Sequence, residues 1–139
     1  RSEQCESDIR GKLIRSGLSS SSVEEIVAYL KKEMFIDEKR FARAFARDKV
    51  KFSGWGRMKI RLYLIGKRIT SEVIADALEG IDMKEYEESL KKLAVSKSKD
   101  LNLRRREDNA KLYRRLVSRG FESGEVVRII RNLRSGIID

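Results

Sequence analysis

The chain has 139 residues, 40% of them apolar and 39% charged, with 32 Lys and Arg against 22 Asp and Glu for a net charge of +10. It has no His and a single Cys, which excludes a Ser/His/Asp triad, a Cys–His dyad, an imidazole or thiolate metal site and an internal disulfide. No run approaches the ~18 apolar residues of a membrane span. There is no Pro, and Leu, Ile, Ala, Lys, Arg and Glu are abundant, which reads as an all-α chain. No basic start leads into an apolar secretory stretch, so a cytoplasmic, reducing setting is expected, with Cys5 an incidental thiol.

Apolar spacing predicts helices over 3–16, 21–32, 38–52, 57–67, 71–79, 83–97, 104–119 and 123–133. Ser21 and Glu24 fit a capping box for the second helix. Asp37 and Asp82 fit N-caps for the third and sixth, with Glu85 three residues after Asp82. Gly17 and Gly120 fit left-handed turn positions after the first and seventh helices. Arg68 stands at the equivalent place in the middle, with Gly66 two residues earlier, so a different turn is expected there. Residues 98–106 read as the most flexible joint.

An internal repeat organises these helices. With Leu18, Ile69 and Phe121 aligned, Leu13, Leu64 and Leu116 fall five residues earlier, and Ile9, Ile60 and Leu112 nine earlier. Val23, Ile74 and Val126 follow by five, Ile26, Ala77 and Ile129 by eight, and Leu30, Ile81 and Leu133 by twelve. The unit is helix, turn, helix, with the anchor residue at the turn. A third helix follows Ile36-Asp37 and again Ile81-Asp82, and the last copy stops at Ile138-Asp139 where its own would begin. Three tandem three-helix repeats are therefore expected, over 1–53, 54–99 and 100–139. The last is incomplete. Stacked in sequence, they would form an elongated, curved, solenoid-like body.

Charge is segmented along this frame. Residues 40–68 carry net +9, residues 69–90 net −6 and residues 91–119 net +8. Such blocks steer a polyanion, match a charged protein partner, or remain solvated helix faces. On the third helix, Arg40, Arg43, Arg47 and Lys51 fall within about 80° of one another. Phe41, Ala44, Phe45 and Phe52 form the adjacent apolar face, and Asp48 falls on that side as a structural group for a neighbouring Arg or a helix N-terminus. Trp55, between Gly54 and Gly56, has Arg57, Lys59 and Arg61 just beyond it. It could stack on an unpaired base, anchor a protein interface or plug the joint between repeats. Lys111, Arg115 and Arg119 share one face of the seventh helix. Carboxylate pairs such as Glu24-Glu25 and Glu87-Glu88 lie among many other charges, and nothing sets them apart as general acids or as a metal site. No catalytic residue, cofactor or metal is expected, and nothing demands more than a monomer.

The run Phe35-Ile36-Asp37-Glu38-Lys39-Arg40-Phe41-Ala42-Arg43-Ala44-Phe45, set in tandem three-helix units, resembles the bacterial RecX family. Ser2-Glu3-Gln4 is similar to that family's opening motif. Gly54-Trp55-Gly56-Arg57 through Ile60-Arg61 to Leu64 resembles the start of its second repeat, and Leu112-Tyr113-Arg114-Arg115-Leu116 through Gly120-Phe121 its third. Arg57 stands where the family often has Pro, and Arg68 where it usually has Gly. The resemblance implies a modulator of the RecA recombinase that lies in the helical groove of the RecA filament on single-stranded DNA. It would lower ATPase and strand exchange and limit filament growth. The residues expected to make contact are Arg40, Arg43, Arg47, Lys51, Arg57, Arg61, Lys111, Arg115 and Arg119, with Trp55 beside them. A plain DNA-binding protein with helix-turn-helix-like units is the competing reading, and a scaffold for an acidic protein is a third.

Overall fold

A computed structural model describes residues 4–33 and 36–137, with eight α-helices, one π turn and no strand among them. The helices are α1 (Glu6–Arg15), α2 (Ser20–Lys32), α3 (Glu38–Asp48), α4 (Arg57–Gly66), α5 (Ser71–Glu79), α6 (Met83–Lys97), α7 (Arg106–Val117) and α8 (Ser123–Arg134). The π turn, Lys49–Ser53, continues α3. Ser2, Glu3, Phe35 and the terminal Ile138-Asp139 lie outside the described residues.

Local chemistry fixes the helix starts. The Asp37 carboxylate accepts the Arg40 N–H at 3.0 Å, and the Asp82 carboxylate accepts the N–H groups of Lys84 and Glu85 at 2.8 and 3.4 Å. These bonds satisfy donors that a helix leaves free in its first turn. The second helix starts earlier than its sequence suggests. Ser19, extended directly after the Gly17 turn, is the N-cap and accepts the Ser22 N–H at 3.2 Å, while Glu24 pairs with Arg10 instead of closing a box. The joint at 98–106 is not an open linker. Asp108 accepts the Asn102 N–H at 2.8 Å, and Leu101 and Leu103 pack on the core.

Arg68 takes the same left-handed turn as Gly17 and Gly120, with φ 62° against 90° and 98°. The turn is set by closure of α4 onto α5, so the repeat imposes it on a residue that carries a Cβ. Arg68→Gly is expected to raise stability by about 1 kcal/mol in urea unfolding. No gain would mean that the Arg68 side chain contributes as much as the strain removes.

Packing groups the helices differently from the repeat count. The largest helix interface lies between α3 and α5, α3 also touches α4, and α6 packs on α7, α8 and the π turn. The expected boundaries at 53/54 and 99/100 are therefore bridged by the third helix of each unit, which lies against the pair that follows it. One apolar core runs from α3 to α8 and takes in Cys5. A second, small core holds Val23, Val27 and Ile36 between α1 and α2. Repeat positions Ile60, Leu64, Ile69, Ile74, Leu112, Leu116, Phe121 and Val126 are buried, whereas Leu18 of the first copy is exposed. Burial pushes the Cys5 thiol up, the reverse of what a reactive thiolate needs.

Candidate functional site

The candidate residues differ in their exposure and in the contacts that the fold gives them. Along α3, Arg43 forms a fork to Asp76 on α5, at 2.7 and 2.9 Å. This hydrogen bond holds the Asp76 carboxyl below its ordinary value. Arg40 is exposed. Arg47 is exposed and reaches Asp48 at 3.8 Å, so Asp48 does pair with a neighbouring Arg, but at 58% exposure it is a surface group and not part of the apolar side.

Beyond Asp48 the helix widens into the π turn, and the 100° step no longer holds. Phe52 is thereby moved off the apolar face and is 76% exposed. Lys51 lies beside it, with Nζ 5.5 Å from the ring centroid. Sequence reasoning missed Phe52 because its spacing from Phe45 suits an α-helix. The Val50 carbonyl, at the π turn, accepts from Ser89 Oγ of α6 at 2.8 Å. Such an insertion in the bonding ladder marks functional segments often enough to single this one out.

Trp55 is half-buried in an aromatic cluster that closes the joint between α3 and α4. Its ring lies 6.0 Å from Phe45 and 5.9 Å from Tyr63, and Phe45 stacks on Tyr63 at 4.6 Å. The ammonium groups of Lys49 and Lys59 sit 4.7 and 4.5 Å from its centroid. Cations on the ring leave less of it to stack on a base.

Arg57 turns inward. Its guanidinium lies 3.9 Å from the Tyr86 ring and 2.9 Å from Glu122, while its backbone N–H donates to the Tyr86 hydroxyl at 2.9 Å. Arg61 remains exposed and borders a groove with Ile65, Ile69 and Ile74. On α7, Lys111 is exposed, and Arg115 is held by Asp100 at 2.9 and 3.2 Å and by the Lys97 carbonyl at 2.6 Å. Arg119 donates to the Ser53 carbonyl at the end of the π turn. That bond joins the C-terminal ends of α7 and of the α3–π-turn segment, so the two basic stripes meet there. Arg40, Arg43, Arg47, Lys51, Arg61 and Lys111 are exposed, with Phe52 added. Arg43 and Arg115 are held in close ion pairs, Arg47 makes a longer one with Asp48, and Arg57 and Arg119 hold the fold together.

No group of three His, Cys, Asp or Glu that could hold a metal occurs among the described residues, and no helix there is long and apolar enough to cross a membrane. The arrangement offers cations on fixed helix faces beside one exposed aromatic ring. Its chemistry is recognition of a polyanion or of an acidic surface.

Comparison with known proteins agrees with this architecture. The family model for the second three-helix domain of RecX matches residues 37–78, which run from the Asp37 cap to the end of α5. The regulatory protein RecX of Prosthecochloris aestuarii is 32% identical over 123 residues, covering 87% of this chain and 78% of that protein. That of Clostridium botulinum strain Eklund 17B is 35% identical over 126 residues, where the chain spans 58% of the relative's length. A crystal structure of regulatory protein RecX superposes with a TM-score of 0.82 at 28% identity, over 94% of this chain and 64% of that one. RecX from Lactobacillus salivarius gives 0.79 at 25% identity, over 98% and 88%. An all-helical fold, a cap-to-helix match at 37–78 and relatives spanning most of the chain converge on one assignment: the chain belongs to the RecX family.

Proposed function

We propose that this chain is a cytoplasmic regulator, not an enzyme, that binds the RecA filament on single-stranded DNA in its helical groove and restrains ATPase, strand exchange and filament growth. The observation that carries the reading is the exposed cationic edge of α3 and the π turn, Arg47 and Lys51 beside Phe52, tied at Ser53 to the end of α7. Family membership supplies the context, since the relatives are named regulatory proteins. Cations fixed on a packed helix contact phosphate or acidic side chains with little loss of freedom. Binding limits growth when it disfavours addition of the next subunit, a coupling of free energies between two sites. An elongated, curved body of stacked units belongs to the same proposal, because it would follow a filament groove.

The test is fluorescence anisotropy at fixed salt, with bare single-stranded DNA and with the same DNA coated by RecA and a slowly hydrolysed ATP analogue. Tighter binding to the coated strand is expected. Arg47→Glu with Lys51→Glu is expected to weaken it by roughly 10- to 100-fold, since two attractions become repulsions. Circular dichroism should stay unchanged, because both side chains are exposed. Arg43 is left intact, as its reversal would also break the pair with Asp76. Unchanged filament inhibition in the double variant would sink the assignment to this edge.

Phe52 favours a second reading, direct binding of single-stranded DNA. In that case bare DNA binds as tightly as coated DNA, Phe52→Ala weakens binding, and the salt slope is about −0.7 per neutralised phosphate.

A further inference from the structure

We propose that the groove between α7 and α8 is a docking site for an acidic amphipathic helix of a partner protein. The groove has a volume of about 330 Å³. Its lining is apolar at Ala110, Tyr113, Val127 and Ile130 and cationic at Arg106, Arg131 and Arg134, and no acidic residue contributes. Val127 is 43% exposed there.

The arginines set this surface apart. Arg115 on α7 and Arg128 on α8 are ion-paired, to Asp100 and to Glu125. Arg106, Arg131 and Arg134 have no ion pair among the described residues. Asn109, which also lines the groove, has a buried Oδ1 without a hydrogen-bond partner there, although its amide nitrogen donates to Leu103 and Arg105. The surface therefore has an apolar floor and unmatched positive charge.

Those features select the occupant. A helix laid in a groove presents apolar anchors three and four residues apart. Carboxylates flanking the anchors would complement the three arginines and fix the orientation. Single-stranded nucleic acid fits less well. Tyr113 is half-buried, with its hydroxyl 2.8 Å from Ser123 Oγ, so its ring is a poor stacking platform. Phosphates, moreover, gain nothing from Val127 and Ile130.

The groove is distinct from the basic edge described above. At 100° per residue, Arg106, Ala110 and Tyr113 lie on the side of α7 roughly opposite Lys111 and Arg115. The proposal thus stands apart from the filament reading, and the two can fail separately.

The experiment is selection of a random peptide display library on the intact chain, followed by anisotropy with the enriched peptides. The expected peptides are acidic, with apolar residues at helical spacing. Their affinity should fall at least about tenfold in Arg131→Glu with Arg134→Glu. It should also fall in Val127→Lys, and it should stay unchanged in Arg47→Glu with Lys51→Glu. The substituted side chains are exposed, so unfolding temperatures should match the parent. No enrichment, enrichment without acidic bias, equal affinity for the reversed variant, or displacement by oligo(dT) would each overturn the proposal.

Discussion

Alanine at Gly56 is expected to be among the most damaging single substitutions in the chain, lowering stability by about 3–5 kcal/mol. A Cβ there would sit 2.3 Å from the Gly120 carbonyl carbon and 2.3 Å from the Phe121 nitrogen. Both are backbone atoms, so no side chain can swing away. The close approach exists because α4 has no side-chain cap. Its first free N–H groups dock instead on the turn between α7 and α8. Gly56 donates to the Arg119 carbonyl at 2.8 Å and Met58 to the Gly120 carbonyl at 2.9 Å, while Arg57 donates to the Tyr86 hydroxyl. One turn of one repeat thus satisfies the helix start of another. Separating the two backbones adds the loss of two buried bonds, about 1 kcal/mol each, to an overpacking cost of about 1–3 kcal/mol.

Gly120→Ala should be as severe, because φ is 98° there and a Cβ would lie 2.5 Å from that of Lys59. Gly124→Ala is the control. Nothing lies within 4 Å of its added carbon, and helix propensity favours alanine by about 0.5–1 kcal/mol. Thermal unfolding should show a fall of about 10 °C or more for the first two variants and a small rise for the third. Equal melting of Gly56→Ala and Gly124→Ala would mean that the crossing is not close-packed.

The helices were legible in the sequence because each carries its own local instructions. Asp37 and Asp82 cap where their chemistry requires, and Gly17 and Gly120 terminate where a positive φ is needed. Burial at Ile60, Leu64, Leu112 and Leu116 follows from helical spacing alone.

Two features were not legible, for different physical reasons. A period does not carry its own phase. The same repeat describes α3 as the end of the first unit or the start of the second, and contacts 33 residues apart, such as Arg43 with Asp76, group it with α4 and α5. The π turn is also invisible to a constant 100° step, so spacing alone places Phe52 on the wrong face. The candidate site suffered most from distant partners. Charge counts treat all arginines alike, yet Glu122, 65 residues from Arg57, takes that arginine out of the surface. Arg119 is withdrawn by a carbonyl 66 residues away.

That pairing of Arg57 gives the second large effect. Glu122→Ala is expected to lower stability by about 2–4 kcal/mol. The carboxylate accepts the Tyr86 hydroxyl and pairs with Arg57 at 2.9 Å, which ties the starts of α4 and α8 to α6. Removing it strands a largely buried guanidinium and a phenol that is 1% exposed. Breaking a fully buried pair costs about 3–5 kcal/mol, and the figure is reduced here because the pair is partly open to solvent.

Burial pushes the Glu122 carboxyl up, but hydrogen bonds from Tyr86, its own backbone and Arg57 outweigh it, so the carboxyl lies below its ordinary 4.5. A depressed carboxyl contributes stability that is present above the ordinary value and lost as pH falls through the folded one. Tyr86 has the opposite sign. Burial and then the Glu122 carboxylate raise its phenol above the ordinary 10.0, so that contribution disappears as pH climbs beyond that value. Glu122→Gln should therefore melt lower than the parent at neutral pH and lose less on acidification below about 4.5. Parallel acid profiles for the two proteins would show that Glu122 keeps its ordinary titration and that Arg57 is held by packing on the Tyr86 ring alone.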